Sequence, residues 1–294
     1  MQKEGNGVKE GFLNFMGYSI YWKSFGKPLK GNILCLHGGP GATHDYMLPM
    51  AWLAERGYRV VFYDQLGCGR SELPKNRALF VPETYVEEVE TVRKKLKLGR
   101  PIVIGSSWGG MLAIAYCLKY QRNVSAVITV GGLHSVPMTF REMEKMKKKL
   151  PPEVLKTIEK YESEGDYENS EYQEAVMVFY KKYLCRLESW PKELMYSLEK
   201  ISKPVYYTMN GPNEFSIIGN IRYWDVRDEL QKINVPFLIL TGRYDEVSPK
   251  VARDMHKLIK NSKMHIFEYS SHLPFWEEKE NFKAVVERFL DSIT

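Results

Sequence analysis

The sequence predicts an α/β fold, a mostly parallel sheet with helices on both faces, interrupted once by a helical insertion. Three observations carry this. Short, continuous apolar runs of the kind buried inside parallel strands recur through the first 130 residues and return after residue 235. Helical patterns separate them, which is the rhythm of strand–helix units. After Gly131-Gly132 the rhythm stops, and from 140 to 201 only helical signals are present.

The elements follow in chain order. Strands are expected at 18–25 and 32–37, then a helix at 45–56. Val60-Val61-Phe62-Tyr63, inside 59–64, is the clearest buried strand. Thr84, with Glu87 three residues later, reads as a capping box that opens a helix at 84–97. A strand at 102–104, a helix at 107–120 and a strand at 124–130 complete this half. The helical stretch includes 171–187 and, after Trp190-Pro191, 192–200. It closes on an irregular loop, Asn210-Gly211-Pro212-Asn213-Glu214-Phe215. Sheet signals resume at 236–241. Ser248-Pro249 then forms a good helix start, followed by a strand at 264–269 and a final helix. The chain therefore divides into a core domain, 1–133 and 232–294, and a helical cap, 134–231. No repeat or low-complexity linker interrupts it.

Composition excludes several classes. At 294 residues, 44% hydrophobic and 27% charged, the chain is neither disordered nor collagen-like. A net charge of +6 is too small and too dispersed for nucleic-acid binding, and the basic run at 145–149 reads as a solvated helix face. Cys35, Cys68, Cys117 and Cys185 are far apart, without Cys-x-x-Cys pairs, so reduced buried thiols in a cytoplasmic protein are expected rather than disulfides or zinc. Residues 1–9 lack an apolar signal core. The uncharged run 101–118 is long enough to be weighed as a membrane helix, but Gly105, Ser106, Ser107, Gly109 and Gly110 break it into strand, turn and helix, and no membrane span is expected. No ligand cluster suggests a metal or cofactor.

The chemistry centres on Gly105-Ser106-Ser107-Trp108-Gly109, a Gly-x-Ser-x-Gly pattern placed after a strand and before a helix. A sharp turn there lifts the Ser107 hydroxyl out of the sheet, and glycines on either side let neighbouring backbone approach. A serine needs a base held by a third group, and with this elbow the acid and then the base follow in the sequence. Asp245 and His272 each lie just past a strand, at the edge where α/β sheets place their sites. His256 and His265 fall within a helix and a strand; His44 and His134 precede the acid. Ser106 is read as structural. The loop His37-Gly38-Gly39-Pro40-Gly41, also at a strand end, can aim backbone N–H groups at an oxyanion together with the N–H of Trp108. Phosphate cradling is excluded for this loop because no Gly-Lys-Ser/Thr follows.

These residues, with Asp64-Gln65-Leu66-Gly67-Cys68-Gly69-Arg70-Ser71 and Gly242-Arg243-Tyr244-Asp245-Glu246, resemble the proline iminopeptidases, serine peptidases of the α/β-hydrolase fold with a helical cap. The similarity spans essentially the whole chain and is greatest to the archaeal tricorn-interacting aminopeptidases, through the cap loop that ends in Asn213-Glu214-Phe215. The resemblance implies release of an N-terminal residue, preferably proline, from short peptides. It implies that Glu214 and Glu246 grip the substrate's α-amino group, that Gly39 and Trp108 supply the oxyanion donors, and that the protein associates with a larger peptide-processing protease. Leu66 departs from the family pattern, in which arginine is common. A carboxylesterase or lipase on the same fold shares the triad and the hole; a non-catalytic binding member of the fold is the remaining alternative.

Overall fold

Residues 7–293 are described by a computed structural model. Eight strands form one sheet in the order β1-β2-β4-β3-β5-β6-β7-β8. They are β1 (Lys9–Phe15), β2 (Tyr18–Phe25), β3 (Gly31–Leu36), β4 (Tyr58–Tyr63), β5 (Ile102–Ser106), β6 (Ala126–Val130), β7 (Phe237–Gly242) and β8 (Ser262–Phe267). β1 and β2, and β2 and β4, pair antiparallel; every later pair is parallel.

Strand alternation divides the core between the two faces. On one face Leu34, Val61, Val103, Val127 and Phe237 pack with α1 (Pro82–Lys95), α2 (Trp108–Tyr120) and α8 (Pro249–Leu258). On the other, Ile33, Val60, Ile104, Ile128 and Leu238 pack with the 3₁₀ helix His44–Ala54 and with α10 (Lys279–Asp291). Both faces are covered, as continuous apolar strands require.

Between β6 and β7 lie five α-helices, α3 (Val136–Lys147), α4 (Pro152–Glu164), α5 (Ser170–Tyr183), α6 (Lys192–Glu199) and α7 (Lys203–Met209), and two 3₁₀ helices, Asn220–Tyr223 and Arg227–Lys232. They are tied down over the carboxyl ends of the strands. Ser202 N donates to Gly41 O at 2.8 Å, Ser197 Oγ meets Thr43 Oγ1 at 2.8 Å, and Asn220 Nδ2 donates to Phe80 O at 2.7 Å.

Several local expectations are corrected. The Thr84–Glu87 capping box does not form: α1 starts two residues earlier, with Pro82 in its first turn and Val81 as an uncapped flank. Glu87 instead accepts from Lys119 Nζ (2.6 Å) and Tyr120 Oη (2.8 Å) on α2. The helix expected at 45–56 is 3₁₀ and contains Pro49, which has no N–H to donate. The last strand begins at Ser262 rather than 264, the final helix is preceded by a short α9 (Pro274–Glu277), and β1 had no counterpart among the strands expected from sequence. The basic run 145–149 is not wholly solvated. Lys147 is buried, bonded to Glu144 and Glu162 at 3.0 and 3.2 Å, and lies 5.5 Å from the centre of the Phe215 ring. All four cysteines are free and buried. Among the described residues no helix is long and apolar enough to cross a membrane.

Candidate active site

Ser107 stands between β5 and α2 with φ +56° and ψ −123°, a conformation that costs a non-glycine residue roughly 1–3 kcal/mol. The turn is held from three sides: Ser107 N donates to Val130 O at 2.9 Å, and Ser107 O accepts from Gly110 N and Met111 N at 2.8 and 3.1 Å. The flanking glycines are sterically required. A β-carbon on Gly105 would lie 2.1 Å from Gly109 O, and one on Gly109 would lie 2.0 Å from Leu36 O. Ser106 is wholly buried.

Asp245 and His272 reach the same edge from β7 and β8. Their loops interlock because a β-carbon on Gly242 would strike Ser271 O at 2.0 Å. The His272 loop is pinned by one carboxylate: Glu277 accepts from Ser271 N, Ser271 Oγ and Leu273 N at 2.9, 2.8 and 3.3 Å. Asp245 is fully buried and accepts from Thr241 Oγ1 (3.0 Å), Val247 N (2.8 Å) and His272 Nδ1 (2.6 Å). A carboxylate only accepts, so Nδ1 carries the proton in this bond and His272 Nε2 is the free end of the ring. That atom is buried and has no hydrogen-bond partner.

His272 and Ser107 line one cavity of about 310 Å³, which Gly39, Glu214 and Glu246 also line. A narrow recess beside it adds Trp108 and apolar walls from Leu133, Met143 and Ile217. A larger, open depression of about 810 Å³ around Arg100, Gln121 and Asn234 lies at the amino ends of the strands. It is remote from the loops that carry chemistry in such sheets.

Glu246 is 1% exposed; its Oε1 is 3.8 Å from His272 Nε2, and its Oε2 has no partner. Burial, with Glu214 and Asp245 as like charges nearby, pushes its carboxyl well up despite the opposing pull of His272. Glu214 accepts from Tyr206 Oη at 2.7 Å, and burial pushes it up as well. Its loop is fixed by Asn213, whose side chain donates to Tyr172 Oη and accepts from Phe215 N at 3.0 Å. Two buried carboxyls therefore line the same cavity, one of them with an orphaned oxygen. His272 responds to them: burial alone would lower it, but Asp245, Glu246 and Glu214 push it up to about 9.

His44, Asp45 and Asp64 also bring ligand-type atoms together. Arg70 already supplies the cation there, 2.8 Å from Asp45 and 3.2 Å from Asp64. Sequence reasoning missed Tyr206, which orients Glu214, and Glu277, which holds the histidine loop. Neither lies in a motif.

Comparison with known proteins gives a consistent picture. A family model described as the alpha/beta hydrolase fold matches residues 31–279. A proline iminopeptidase of Saccharolobus solfataricus is 46% identical, covering 97% of this chain and 93% of its own. The crystal structure of VinJ superposes with a TM-score of 0.94 at 34% identity, covering 97% and 99% of the two chains. That of the proline iminopeptidase of Mycobacterium smegmatis superposes at 0.89 and 30% identity, covering 97% and 98%.

Proposed function

The chain belongs to the proline iminopeptidase family, within the α/β hydrolases, and from that membership we propose a serine exopeptidase that releases N-terminal proline, and other apolar residues more slowly, from short peptides. The observation that carries the reading is the buried carboxyl of Glu246, whose Oε2 has no partner, whose Oε1 lies 3.8 Å from His272 Nε2, and which lines one cavity with Glu214. A peptide's α-ammonium satisfies that carboxylate; an acylated or internal residue brings no charge to offset the desolvation. A carboxylesterase of the same fold has no use for the pair.

In this reading His272, oriented by Asp245, takes the Ser107 proton through Nε2 as the hydroxyl attacks the first peptide carbonyl. The Gly39 and Trp108 N–H groups hold the oxyanion. His272 then protonates the leaving amine, and water cleaves the acyl-enzyme by the reverse relay. The helical segment 134–231 serves as the cap that supplies Glu214, over a core of 1–133 and 232–294. A cytoplasmic location and association with a larger peptide-processing protease belong to the same reading, the association by resemblance alone.

Charge couples binding to catalysis. Without a bound ammonium, Asp245 first, then Glu246 and Glu214, raise His272 to about 9 against the effect of its burial. An ammonium between Glu214 and Glu246 offsets two of them, so the imidazole pKa falls and the ring becomes a usable base. The acidic limb of kcat should therefore lie at lower pH than that of kcat/KM. Glu246→Gln should move the kcat/KM limb to lower pH. Coincident limbs in the wild type, or no movement in the variant, would count against the coupling.

The nucleophile assignment is tested by labelling with a fluorophosphonate and mapping the modified peptide. One adduct, on Ser107, is expected. An adduct on another serine, or none with active enzyme, contradicts the assignment.

A further inference from the structure

Both oxyanion donors proposed above are peptide N–H groups, so their aim is set by whatever holds the peptide planes that carry them. The Gly39 N–H belongs to the peptide unit whose carbonyl is Gly38 O, and that oxygen accepts from His37 Nδ1 at 2.9 Å. A carbonyl cannot donate, so Nδ1 carries the hydrogen and Nε2 is the acceptor, taking the Gln65 backbone N–H at 2.9 Å. Burial lowers His37 to about 4, which keeps this neutral tautomer over the ordinary working range.

The Gln65 side chain then joins this loop to the second donor. Its Nε2 donates to His37 O at 2.8 Å, and its Oε1 accepts from the Trp108 indole Nε1 at 2.8 Å. The indole can only donate and the carbonyl only accept, so the orientation of the amide is settled by its partners. His37 and Gln65 are fully buried and Trp108 is 2% exposed, so these bonds form out of reach of bulk water. Gln65 lines neither the cavity nor the recess beside it.

We propose that Gln65 is the positioning residue of the oxyanion hole, its one amide clamping the loop that carries Gly39 to the ring of Trp108 so that the two N–H donors keep a common aim. The inference rests on the assignment of Gly39 and Trp108 as those donors. Its physical basis is that a hole works only when its donors already stand about 2.7–3.1 Å from where the oxyanion forms.

The test is kinetic, with Gln65→Met, which keeps the side-chain length and the backbone bond to His37, and Trp108→Phe, which removes the indole N–H from the other end. Each should lower kcat on prolyl amides about 10- to 100-fold, with KM within about twofold. Affinity for a prolyl boronate, whose tetrahedral oxyanion occupies the hole, should fall by the same factor. Inhibition of Gln65→Met by pyrrolidine, an ammonium without a carbonyl, should not change, since Gln65 lines neither the cavity nor the recess. The double variant should be no worse than the poorer single one. Unchanged kcat in Gln65→Met, additive losses, or pyrrolidine affinity and KM that weaken along with kcat would overturn the proposal. Should Gln65→Met not fold, Trp108→Phe decides between the same outcomes through kcat and boronate affinity. Ser107→Ala separates the two levels: an active Ser107→Ala enzyme removes the site assignment itself, whereas an inactive one beside a fully active Gln65→Met removes only the brace.

Discussion

Ser107→Ala should abolish peptidase activity, with kcat on a prolyl amide falling by about 10⁴-fold or more while KM stays within a fewfold. The expectation is large because no neighbour can substitute. Ser106, the adjacent hydroxyl, is wholly buried, and Ser107 alone occupies the strained elbow at the amino end of α2. Alanine carries the same β-carbon into the same backbone conformation, so the elbow's strain is unchanged and the melting temperature should stay within a few degrees of wild type. Asp245→Asn should give a smaller but still severe loss. The amide would point an N–H or a weaker acceptor at His272 Nδ1, and the ring would lose the tautomer that leaves Nε2 free. Residual activity of a per cent or more in Ser107→Ala would contradict the nucleophile assignment.

The second large effect concerns charge. Glu246→Gln keeps the shape of the side chain and removes its charge, and should lower kcat/KM for free-amine substrates by about 10²-fold, the 2–3 kcal/mol of a lost charge-assisted contact. N-acetylated substrates, already poor, should be unaffected. Glu214→Gln should act in the same direction but less strongly, because Tyr206 already bonds to one of its oxygens. Stability should move the other way. Glu246 is a buried carboxyl with an orphaned oxygen, crowded by Glu214 and Asp245. Burial already disfavours its charged form, and a neutral side chain of the same shape removes that cost, so the melting temperature of Glu246→Gln should equal or exceed the wild-type value. A variant that loses activity and stability together, with equal losses on free and acetylated substrates, would mean that Glu246 is structural.

How much of this was legible in the sequence depended on whether the signal was local. Strands such as Val60-Val61-Phe62-Tyr63 announce themselves because burial on both faces demands uninterrupted apolar residues. β1 was missed because it is an edge strand with exposed and half-buried positions at its start, including Lys9 and Glu10. β8 was read two residues late for the same reason, since it opens on polar Ser262-Lys263 at the opposite edge. The start of α1 was misplaced because Pro82, with its fixed φ, outweighed a capping pattern that looked right in isolation. Lys147 was read as solvated because its partner Glu162 lies on another helix.

The same division holds for the site. Ser107, Asp245 and His272 each follow a strand, so position and order were visible, and the structure brings Asp245 and His272 into contact and Ser107 to the same cavity. Glu214 and Glu246 looked like ordinary loop residues, and only the family resemblance singled them out. Gln65 and Trp108 are 43 positions apart, and nothing local to either shows that their side chains meet.

The central claim is that this enzyme reads a free amino terminus and then cleaves next to it. The most direct test compares kcat/KM for fluorogenic prolyl and N-acetylprolyl amides and a neutral short-chain ester, with Ser107→Ala as the blank. The account predicts rapid turnover of the free prolyl amide, at least about 10²-fold slower turnover of its acetylated form, and no activity in the blank. Equal turnover of the two amides, or cleavage of the ester alone, would contradict it and return Glu214 and Glu246 to a structural role.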